Sequence, residues 1–398
     1  MRVLHVGKFF PPHPGGIERC TAELCAGLAQ RKLTVAALAH AEPGARGTEL
    51  RAEGGYEVTL AACHGRVLYA PLSPGFPLAL ARIIRRFRPD LLHLHVPNTS
   101  AFAALWLPAA RRLPWIVHWH ADIPVDSRRQ LLPLAYRLYR PWEQALLRRA
   151  AAVIATSAPY RDSSSALAPW RGKTHVIPLG IAPRDGRVDG APTAMPPAEC
   201  KGLRVLAVGR LSYFQGIDVL LHAITLVPEA SLTVIGDGEC RVSLERLARD
   251  LRIEPRVTFA GRIDMDAAGE ARLARAYRAA DVLCLPSIDR AESFGLVLLE
   301  AMQARLPVIA SAIAGSGVGY VVRDGETGLL VPPGDVDALV AALVRLGADP
   351  ALRARLGGAG EQRWRDEFTL DRAADRVMAL YDSVLRKAPA RASAAPAG

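Results

Sequence analysis

The sequence predicts an α/β protein made of two successive doubly wound domains that face each other across a cleft. Three observations lead to this prediction. Short, apolar, β-branched runs alternate with amphipathic helical stretches, and this alternation occurs twice along the chain. A polar stretch rich in Pro and Gly separates the two series, and the length of 398 residues suits two domains of about 100–200 residues each. Strands that alternate with helices form parallel sheets covered on both faces, and such sheets bind ligands at the carboxyl ends of their strands.

The first domain is assigned to residues 1–182. Its strands are predicted from apolar runs at 2–6, 33–38, 91–96, 115–119, 151–155 and 174–177. Apolar residues at helical spacing predict helices between most of these runs, among them 17–30, 78–88 and 134–150.

Residues 183–201 have no periodicity and are predicted to be the linker. The alternation then restarts, with strands predicted at 203–208, 231–235, 256–260, 281–285, 307–310 and 328–331. Helices are predicted at 216–226, 240–251, 270–279, 294–303, 335–347 and 350–364. We assign the second domain to 202–368, a separate final helix to 369–386, and a disordered tail rich in Ala, Pro and Ser to 387–398.

The composition excludes several classes of protein. Half of the residues are hydrophobic and 22% are charged, which is typical of globular proteins and not of disordered or fibrous ones. No apolar run approaches the ~18 residues that indicate a membrane-spanning helix. The first residues read as a strand that ends before Pro11 rather than as a secretion signal, so we expect a cytoplasmic protein. The six cysteines form no Cys-x-x-Cys pair, which argues against a disulfide framework and against a cysteine-based zinc site.

The positive charge belongs to the first half of the chain. Residues 1–190 hold 25 Lys and Arg against 13 Asp and Glu, whereas residues 191–398 hold 25 against 26. Arg82, Arg85 and Arg86 lie opposite the apolar stripe of their predicted helix. A second cluster interleaves arginine with aromatic residues: Arg128, Arg129, Arg137, Arg140, Arg148 and Arg149 with Tyr136, Tyr139 and Trp142. Both patterns suit an anionic membrane surface, and a solvated helix face is the alternative. No nucleic-acid-binding motif is present, so nucleic acid is not an expected partner.

The segment from Glu292 to Glu300 carries the strongest indication of a binding site. It follows the predicted strand 281–285, crosses a loop and opens a helix. The unpaired N–H groups of a helix start, with no side chain at Gly295, suit an anion such as a diphosphate. Glu292 and Glu300 flank this turn, and ionised carboxylates accept hydrogen bonds from hydroxyl groups. The alternative is an ordinary capped helix with two surface glutamates.

Four histidines form two alternating pairs. His93 and His95 lie on one predicted strand and His118 and His120 on the next, so each pair shares a face. Zinc would be compatible with such pairs, but no carboxylate or cysteine at ligand spacing completes the set, and we predict no metal site. His95 and His120 lie at strand ends facing the predicted cleft, and a structural histidine with satisfied hydrogen bonds is the alternative for both.

Short motifs recur in a fixed order along nearly the whole chain. In the first half they are Pro11-Pro12-His13-Pro14-Gly15-Gly16-Ile17-Glu18, His118-Trp119-His120-Ala121-Asp122 and Val176-Ile177-Pro178-Leu179-Gly180-Ile181. In the second half they are Val208-Gly209-Arg210-Leu211, Ile235-Gly236-Asp237-Gly238-Glu239, Phe259-Ala260-Gly261-Arg262, Glu292–Glu300 and Gly325-Glu326-Thr327-Gly328-Leu329-Leu330-Val331. This ordered set resembles the family 4 glycosyltransferases, which are retaining, nucleotide-sugar-dependent enzymes with a Glu-x7-Glu motif. Their GT-B fold consists of two Rossmann-like domains facing a central cleft, with a C-terminal helix that crosses back to the first domain.

The resemblance implies roles for matching residues. Glu292 and His120 would contact the donor sugar, Glu300 would bind the ribose hydroxyls, and Arg210 would neutralise the diphosphate. The backbone of the loop would bind the diphosphate through Ser293, Phe294, Gly295, Leu296 and Val297. The tight loop of Gly15 and Gly16 would lie beneath the diphosphate, and the base would rest against Gly261 and Arg262.

One position departs from the family pattern. The family usually places a lysine where this chain has Gln215, so one of two expected cations is missing beside the leaving group. The resemblance implies transfer of a hexose from a UDP- or GDP-sugar, with retention and without a cofactor or metal. A lipid-linked saccharide in surface polysaccharide or glycolipid assembly is the expected acceptor, at the inner face of the membrane. The alternatives are a GT-B nucleotide-sugar epimerase or phosphorylase, and a non-catalytic scaffold, for which Gln215 is the one indication.

Overall fold

The computed structural model describes residues 1–45, 47–67, 70–123, 131–183, 202–263 and 267–387. The predicted linker from residue 184 onward, Arg128 and Arg129, and the tail from residue 388 lie outside these ranges.

The first domain is built on a twisted sheet of eight strands. The strands of the whole domain are β1 (Arg2–Val6), β2 (Thr34–His40), β3 (Glu49–Glu53), β4 (Tyr56–Ala61), β5 (Arg66–Val67), β6 (Ala70–Pro71), β7 (Leu91–Val96), β8 (Trp115–Trp119), β9 (Ala152–Ala155) and β10 (Thr174–Val176), and all but β5 and β6 belong to this sheet. The sheet order is β10-β9-β8-β7-β1-β2-β4-β3, and every pair is parallel except β3 with β4. Strands β5 and β6 form a separate small hairpin.

Helices cover both faces of this sheet. They are α1 (Gly16–Gln30), α2 (Phe76–Phe87), α3 (Ala103–Trp106), α4 (Pro108–Arg111), α5 (Leu131–Arg149) and α6 (Ala158–Ser163). Apolar residues of α2 to α6 pack on one face of the sheet, and those of α1 pack on the other. Each helix therefore buries its apolar stripe against β-branched and leucine side chains of the strands.

The second domain has a fully parallel sheet. Its strands are β11 (Arg204–Val208), β12 (Ser231–Ile235), β13 (Val257–Gly261), β14 (Val282–Leu285), β15 (Val308–Ser311) and β16 (Leu329–Val331), in the order β13-β12-β11-β14-β15-β16. Its helices are α7 (Ile217–Leu226), α8 (Arg241–Asp250), α9 (Ala267–Ala279), α10 (Leu296–Gln303), α11 (Val318–Val321), α12 (Val336–Ala348) and α13 (Pro350–Glu367). These two sheets confirm the predicted fold class.

The final helix, α14 (Leu370–Lys387), packs on the first domain. The segment at the end of the first domain pairs with the start of α14. The Ile181 N–H donates to the Phe368 carbonyl at 3.0 Å, and the Leu370 N–H donates to the Ile181 carbonyl at 2.9 Å. A Cβ atom at Gly180 would lie 2.3 Å from the Thr369 carbonyl oxygen, so only glycine permits this close approach. The C-terminal helix therefore returns to the first domain, as the resemblance implied.

Candidate active site

The carboxyl ends of both sheets meet at the cleft between the domains. The start of α1 in the first domain lies against the start of α10 in the second, because a Cβ atom at Gly16 would lie 3.2 Å from a methyl carbon of Leu296. Arg290 of the second domain also pairs with Asp122 of the first at 3.1 Å. The predicted site residues of the two halves thus lie around one shared cleft.

Glu292 lies in the loop between β14 and α10, and its side chain is half-buried. The side-chain amide of Gln215 donates to its carboxylate at 2.8 Å. Burial raises the pKa of the Glu292 carboxyl above its ordinary value, and the hydrogen bond from Gln215 opposes that rise. The hydroxyl of Ser316 donates to the Glu292 carbonyl and helps to fix the loop.

The turn into α10 depends on a glycine. Gly295 has φ of 80° and ψ of 69°, in the left-handed region, and it immediately precedes Leu296. A Cβ atom there would lie 2.8 Å from Leu298 and 3.0 Å from Leu285 side-chain carbons. The first N–H groups of a helix have no partner within the helix, and the Gly295 N–H donates to the Glu292 carboxylate.

Glu300 is buried on α10, where it joins the two domains. The Arg19 guanidinium of α1 pairs with one of its carboxylate oxygens, and the Tyr277 hydroxyl of α9 donates to the other. Burial alone would lower the pKa of the Arg19 guanidinium, but the carboxylates of Glu300 and Glu23 raise it on balance. Arg19 therefore stays charged beside Glu300.

Gln215 ends a short 3-10 helix, Tyr213–Gln215, immediately before α7. The next residue, Gly216, has φ of 64°, and a Cβ atom there would lie 2.1 Å from the Pro286 carbonyl oxygen. This close packing of the turn on the end of β14 places the Gln215 amide beside Glu292. Gln215 thus contacts the predicted sugar-binding carboxylate directly.

Arg210 follows β11 and is largely exposed, with its guanidinium 3.2 Å from the Glu239 carboxylate. A second cation, Lys8, lies across the cleft at the end of β1. Burial lowers the pKa of the Lys8 ammonium; Glu18 opposes this shift, whereas Arg66 and Arg210 add to it. Three cations, Lys8, Arg66 and Arg210, therefore lie near two carboxylates, Glu18 and Glu239, in the same part of the cleft.

The predicted base-binding segment ends β13. Gly261 has φ of 73°, and a Cβ atom there would lie 3.2 Å from the Arg241 guanidinium. The Gly236 N–H donates to the Gly261 carbonyl at 2.9 Å, which ties this segment to the end of β12. Arg262 is exposed at the edge of the cleft.

Two families match this chain, one in each domain. Residues 15–180 match the family described as "Glycosyl transferase 4-like domain", and residues 202–349 match "Glycosyl transferases group 1". A phosphatidyl-myo-inositol mannosyltransferase of Mycobacterium leprae (strain TN) is 31% identical over 93% of this chain and 94% of its own length. This chain is a family 4 glycosyltransferase with the GT-B fold.

Two further comparisons cover the glycosyltransferase almost end to end. The O-antigen chain mannosyltransferase C of Escherichia coli is 28% identical over 97% of this chain and 99% of its own length. The solved structure of sucrose-phosphate synthase from Thermosynechococcus elongatus superposes with a TM-score of 0.80 at 26% identity, covering 97% of this chain and 99% of that one.

In the glycosyltransferase, His120 lies beneath the cleft surface rather than on it. It is 3% exposed and its Nε2 is 2.9 Å from Nδ1 of His95. His5 of β1 lies next to these histidines. Two groups of three buried histidines have ring nitrogens within 4.8 Å of one another. One is His5, His93 and His95, and the other is His95, His118 and His120. Burial lowers the pKa of His120 well below its ordinary range.

The arginines predicted to meet a membrane lie on the outer face of α2. Arg82, Arg85 and Arg86 are all exposed, and Arg86 pairs with Glu57 at 2.7 Å. In the part of the chain that the structure describes, no helix combines the length and apolar character needed to cross a membrane.

Sequence reasoning missed three residues of the site. Arg19 belongs to the segment next to Gly15 and Gly16, but nothing in its spacing indicates that it reaches Glu300 of the other domain. Tyr277 and Lys8 were likewise not predicted, because their relation to the site depends on how the two sheets are placed.

Proposed function

We propose that this glycosyltransferase transfers a hexose from a UDP- or GDP-sugar to a saccharide acceptor, with retention of the anomeric configuration. The observation that carries the proposal is the arrangement around α10. Glu292 and Glu300 flank a glycine turn that presents helix N–H groups, and Gly16 of the other domain closes over it. In this assignment Glu292 accepts hydrogen bonds from the sugar, Glu300 accepts them from the ribose, and the turn binds the diphosphate.

Negative charge grows on the diphosphate as the sugar–oxygen bond breaks, and fixed positive groups there stabilise the transition state. Arg210 and the N–H groups at the start of α10 supply part of this charge. Lys8 supplies a second cation from the first domain, in place of the lysine that Gln215 replaces. The electrostatic influence of Arg210 on Lys8 supports this assignment.

Retention by a covalent intermediate would need a carboxylate free to attack the sugar carbon. Glu292 accepts from Gln215, and Asp122 accepts from Arg290, Trp119 and Ser164. These engaged carboxylates favour a displacement on the front face, in which the leaving phosphate takes the proton of the acceptor hydroxyl. We expect no metal or other cofactor to be required.

We propose a lipid-linked acceptor at the inner face of an anionic membrane. The relatives named for O-antigen chains and phosphatidyl-myo-inositol support this class of acceptor. Exposed apolar side chains recur along α5 at Leu134, Leu138 and Trp142, and Trp142 packs on the exposed Trp106 of α3 at 5.0 Å. Apolar residues flanked by exposed arginines suit insertion at an anionic lipid interface.

The proposal is tested by incubating the protein with UDP- and GDP-hexoses, with and without lipid-linked saccharide acceptors. We expect acceptor-dependent release of nucleoside diphosphate that survives EDTA, and an axial or equatorial product linkage matching that of the donor by NMR. Interconversion of the sugar without an acceptor would indicate an epimerase. Nucleotide binding without release from any donor would indicate a non-catalytic scaffold.

A further inference from the structure

A polar contact joins the two domains beside the loop between β14 and α10. Arg290 of this loop extends toward the first domain, where its guanidinium pairs with the Asp122 carboxylate at 3.1 Å and lies over the Tyr160 ring, 4.7 Å from its centroid. Its Nε donates to the Gly315 carbonyl at 3.3 Å, and the Ser163 hydroxyl of the first domain donates to the same carbonyl at 2.8 Å. These five residues are called here the Arg290 clasp.

The half of the clasp in the first domain is fixed by contacts within that domain. Oδ1 of Asp122 accepts from the Trp119 indole N–H at 2.9 Å and from the Ser164 hydroxyl at 2.7 Å. The Asp122 N–H donates to the Tyr160 hydroxyl at 2.6 Å, and Oδ2 receives the guanidinium of Arg290. Arginine suits such a place, because its planar cation donates at its edge and stacks on an aromatic ring through its face. The first domain therefore holds a site for an arginine of the second.

Arg290 and Glu292 belong to one tight turn. The Ala291 N–H donates to the Asp289 carboxylate at 2.7 Å, and the Glu292 N–H donates to the Asp289 carbonyl at 3.2 Å. An aspartate that bonds the backbone two residues later in this way restricts the dihedral angles of the turn. A displacement of Arg290 is therefore transmitted to Glu292, two residues later in the chain.

The loop that carries Gly315 holds the same turn from its other side. The Ser316 hydroxyl donates to the Glu292 carbonyl. A Cβ atom at Gly315 would lie 2.5 Å from the Cβ atom of Ser163, so this loop touches the first domain with no space for a side chain. Both the turn of Glu292 and the loop that supports it are therefore in contact with the first domain at the clasp.

We propose that Arg290 is a positioning residue, through which the first domain sets the place of the Glu292 carboxylate at the donor-sugar site. The side chains of Arg290 and Asp122 are 33% and 22% exposed, so water and salt screen this pair less than a fully exposed one. Arg290 acts through the turn to Glu292 rather than on the sugar itself. The link between the domains stands on the contacts above, and its effect on the sugar rests on the proposed function.

Hydrogen exchange, measured by mass spectrometry on the ligand-free full chain, tests the link without any substrate. Arg290→Gln removes the charge and the guanidinium, so we expect faster exchange in peptides that cover residues 289–292 and 118–122, which contain N–H groups held at the clasp. Arg204→Gln is the matched control, because it breaks an Arg–Asp pair of 2.8 Å within the second domain, and it should leave both peptides unchanged. Unchanged exchange in Arg290→Gln would overturn the proposal.

Binding affinities isolate the effect on the sugar. The dissociation constant of UDP or GDP divided by that of its nucleotide-sugar, called here the sugar ratio, measures what the sugar contributes to binding. Arg290→Gln and Asp122→Asn should each lower the sugar ratio about tenfold, the effect of losing one charge-assisted hydrogen bond, and should leave the affinity for the nucleoside diphosphate unchanged. The double variant should lose no more than either single variant, because the two residues act as one contact. Arg290→Lys keeps the charge without the planar fork and should recover part of the sugar ratio.

Two results of the affinity measurements would contradict the proposal. Equal losses of affinity for the nucleoside diphosphate and for the nucleotide-sugar would mean that the clasp affects the whole protein rather than the sugar site. Additive losses in the double variant would mean that Arg290 and Asp122 act separately. A chain that exchanges as expected and yet binds no nucleotide-sugar would instead refute the proposed function and leave the link between the domains standing.

Gly315→Ala tests the clasp sterically while it leaves Arg290 in place. The added methyl group would collide with Ser163, so we expect faster exchange in the same peptides and a lower sugar ratio, as in Arg290→Gln. Gly325→Ala is the matched control, because its φ of 70° is close to the 72° of Gly315 and its Cβ atom would meet no described atom within 4 Å beyond its chain neighbours. The control carries the same backbone strain without the collision, so it should resemble the wild type in both measurements. If Gly315→Ala also resembled the wild type, contact at the clasp would not set the sugar site, and the proposal would be overturned.

Discussion

At the scale of single residues, the central contact of the candidate site is the hydrogen bond from Gln215 to Glu292. A neutral amide orients the carboxylate through a 2.8 Å hydrogen bond but does not cancel its charge. Burial without a counter-charge keeps the Glu292 carboxyl easier to protonate than an exposed one. On the proposed function, a glutamine in place of lysine at position 215 would change both the leaving-group site and the carboxylate assigned to the sugar.

Replacing Glu292 with Gln should lower kcat by about 10- to 100-fold, because a charge-assisted hydrogen bond to the sugar is worth about 1.5–3 kcal/mol. The free energy of unfolding should change little, since a neutral amide is easier to bury than a carboxylate. Glu326→Gln, at an exposed loop position, is the matched control and should keep wild-type kcat. Wild-type turnover by Glu292→Gln with its own donor and acceptor would remove Glu292 from the reaction.

Replacing Gln215 with Lys should tighten binding of the nucleoside diphosphate by about tenfold, or ~1.4 kcal/mol, because it adds a cation to those of Arg210, Lys8 and Arg66. Gln215→Met removes the amide without adding charge and should weaken the orientation of Glu292, lowering kcat instead. Titration calorimetry with UDP and GDP measures the first effect. A wild-type affinity of Gln215→Lys for both UDP and GDP would mean that position 215 does not face the diphosphate.

Local pattern predicts which residue types occur at the site but not all of their partners. The spacing of Glu292 and Glu300 and the position of Gly295 are visible in the sequence, because they depend on one strand, one turn and one helix. The contacts of Glu300 with Arg19 and Tyr277 join segments far apart in the chain. Their formation depends on tertiary packing, which no local periodicity encodes.

At the scale of elements, α2, α3 and α5 expose both arginines and large apolar side chains. Arg137 and Arg140 are exposed beside Leu134, Leu138 and Trp142 on α5, and Arg82 and Arg85 are exposed on the neighbouring α2. Arg86 lies on the same helix and forms an ion pair with Glu57 at 2.7 Å.

Arg82→Gln with Arg85→Gln should reduce binding to anionic vesicles about 25-fold, since each arginine near such a surface contributes about 1 kcal/mol. Folding should be unaffected, because the apolar stripe of α2 is untouched. Arg246→Gln with Arg249→Gln, on the exposed face of α8 in the second domain, is the control of equal charge. Vesicle co-sedimentation at low and high salt measures the effect, and equal binding by both double variants would leave α2 as a solvated face.

The strands and the longer helices of the second domain could be predicted from the sequence, whereas α11 and several elements of the first domain could not. All six predicted strands of the second domain occur within one residue of their predicted limits, because each is a short apolar run bounded by polar residues. In the first domain, β3 and β4 were not predicted. Strand β3 is polar and lies at the sheet edge, where one-sided burial leaves little hydrophobic pattern.

At the scale of the whole molecule, the buried histidines couple folding to pH. Burial lowers the pKa of His5 and His118 to about 3, whereas an unfolded histidine titrates near 6.5. Below pH 6.5 the unfolded chain binds protons that the folded chain does not, so the free energy of unfolding falls as the pH falls toward 3. Above pH 6.5 these histidines no longer lower the free energy of unfolding.

Urea unfolding at pH 7.5, 6.0 and 5.0 should therefore show a steep loss of stability, about 1.4 kcal/mol per pH unit for each buried histidine well below pH 6.5. His5→Gln should make this slope shallower by about one such increment. His222→Gln, at an exposed position of α7, should leave the slope as it is. A stability that is flat from pH 7.5 to 5.0 would contradict the burial of these rings.

The ion pair between Arg19 and Glu300 links the two domains at the proposed ribose site, and its two roles can be separated. Arg19→Met leaves a buried carboxylate without its cation, which should lower the free energy of unfolding by about 3 kcal/mol. Adding Glu300→Gln removes that unpaired charge, so the double variant should recover most of the stability. Nucleotide affinity should fall below that of the wild type in the double variant, because the ribose has lost its carboxylate acceptor. Unfolding in urea measures the stability, and nucleotide titration measures the affinity. If the double variant binds nucleotide as tightly as the wild type, Glu300 serves only to hold the domains together.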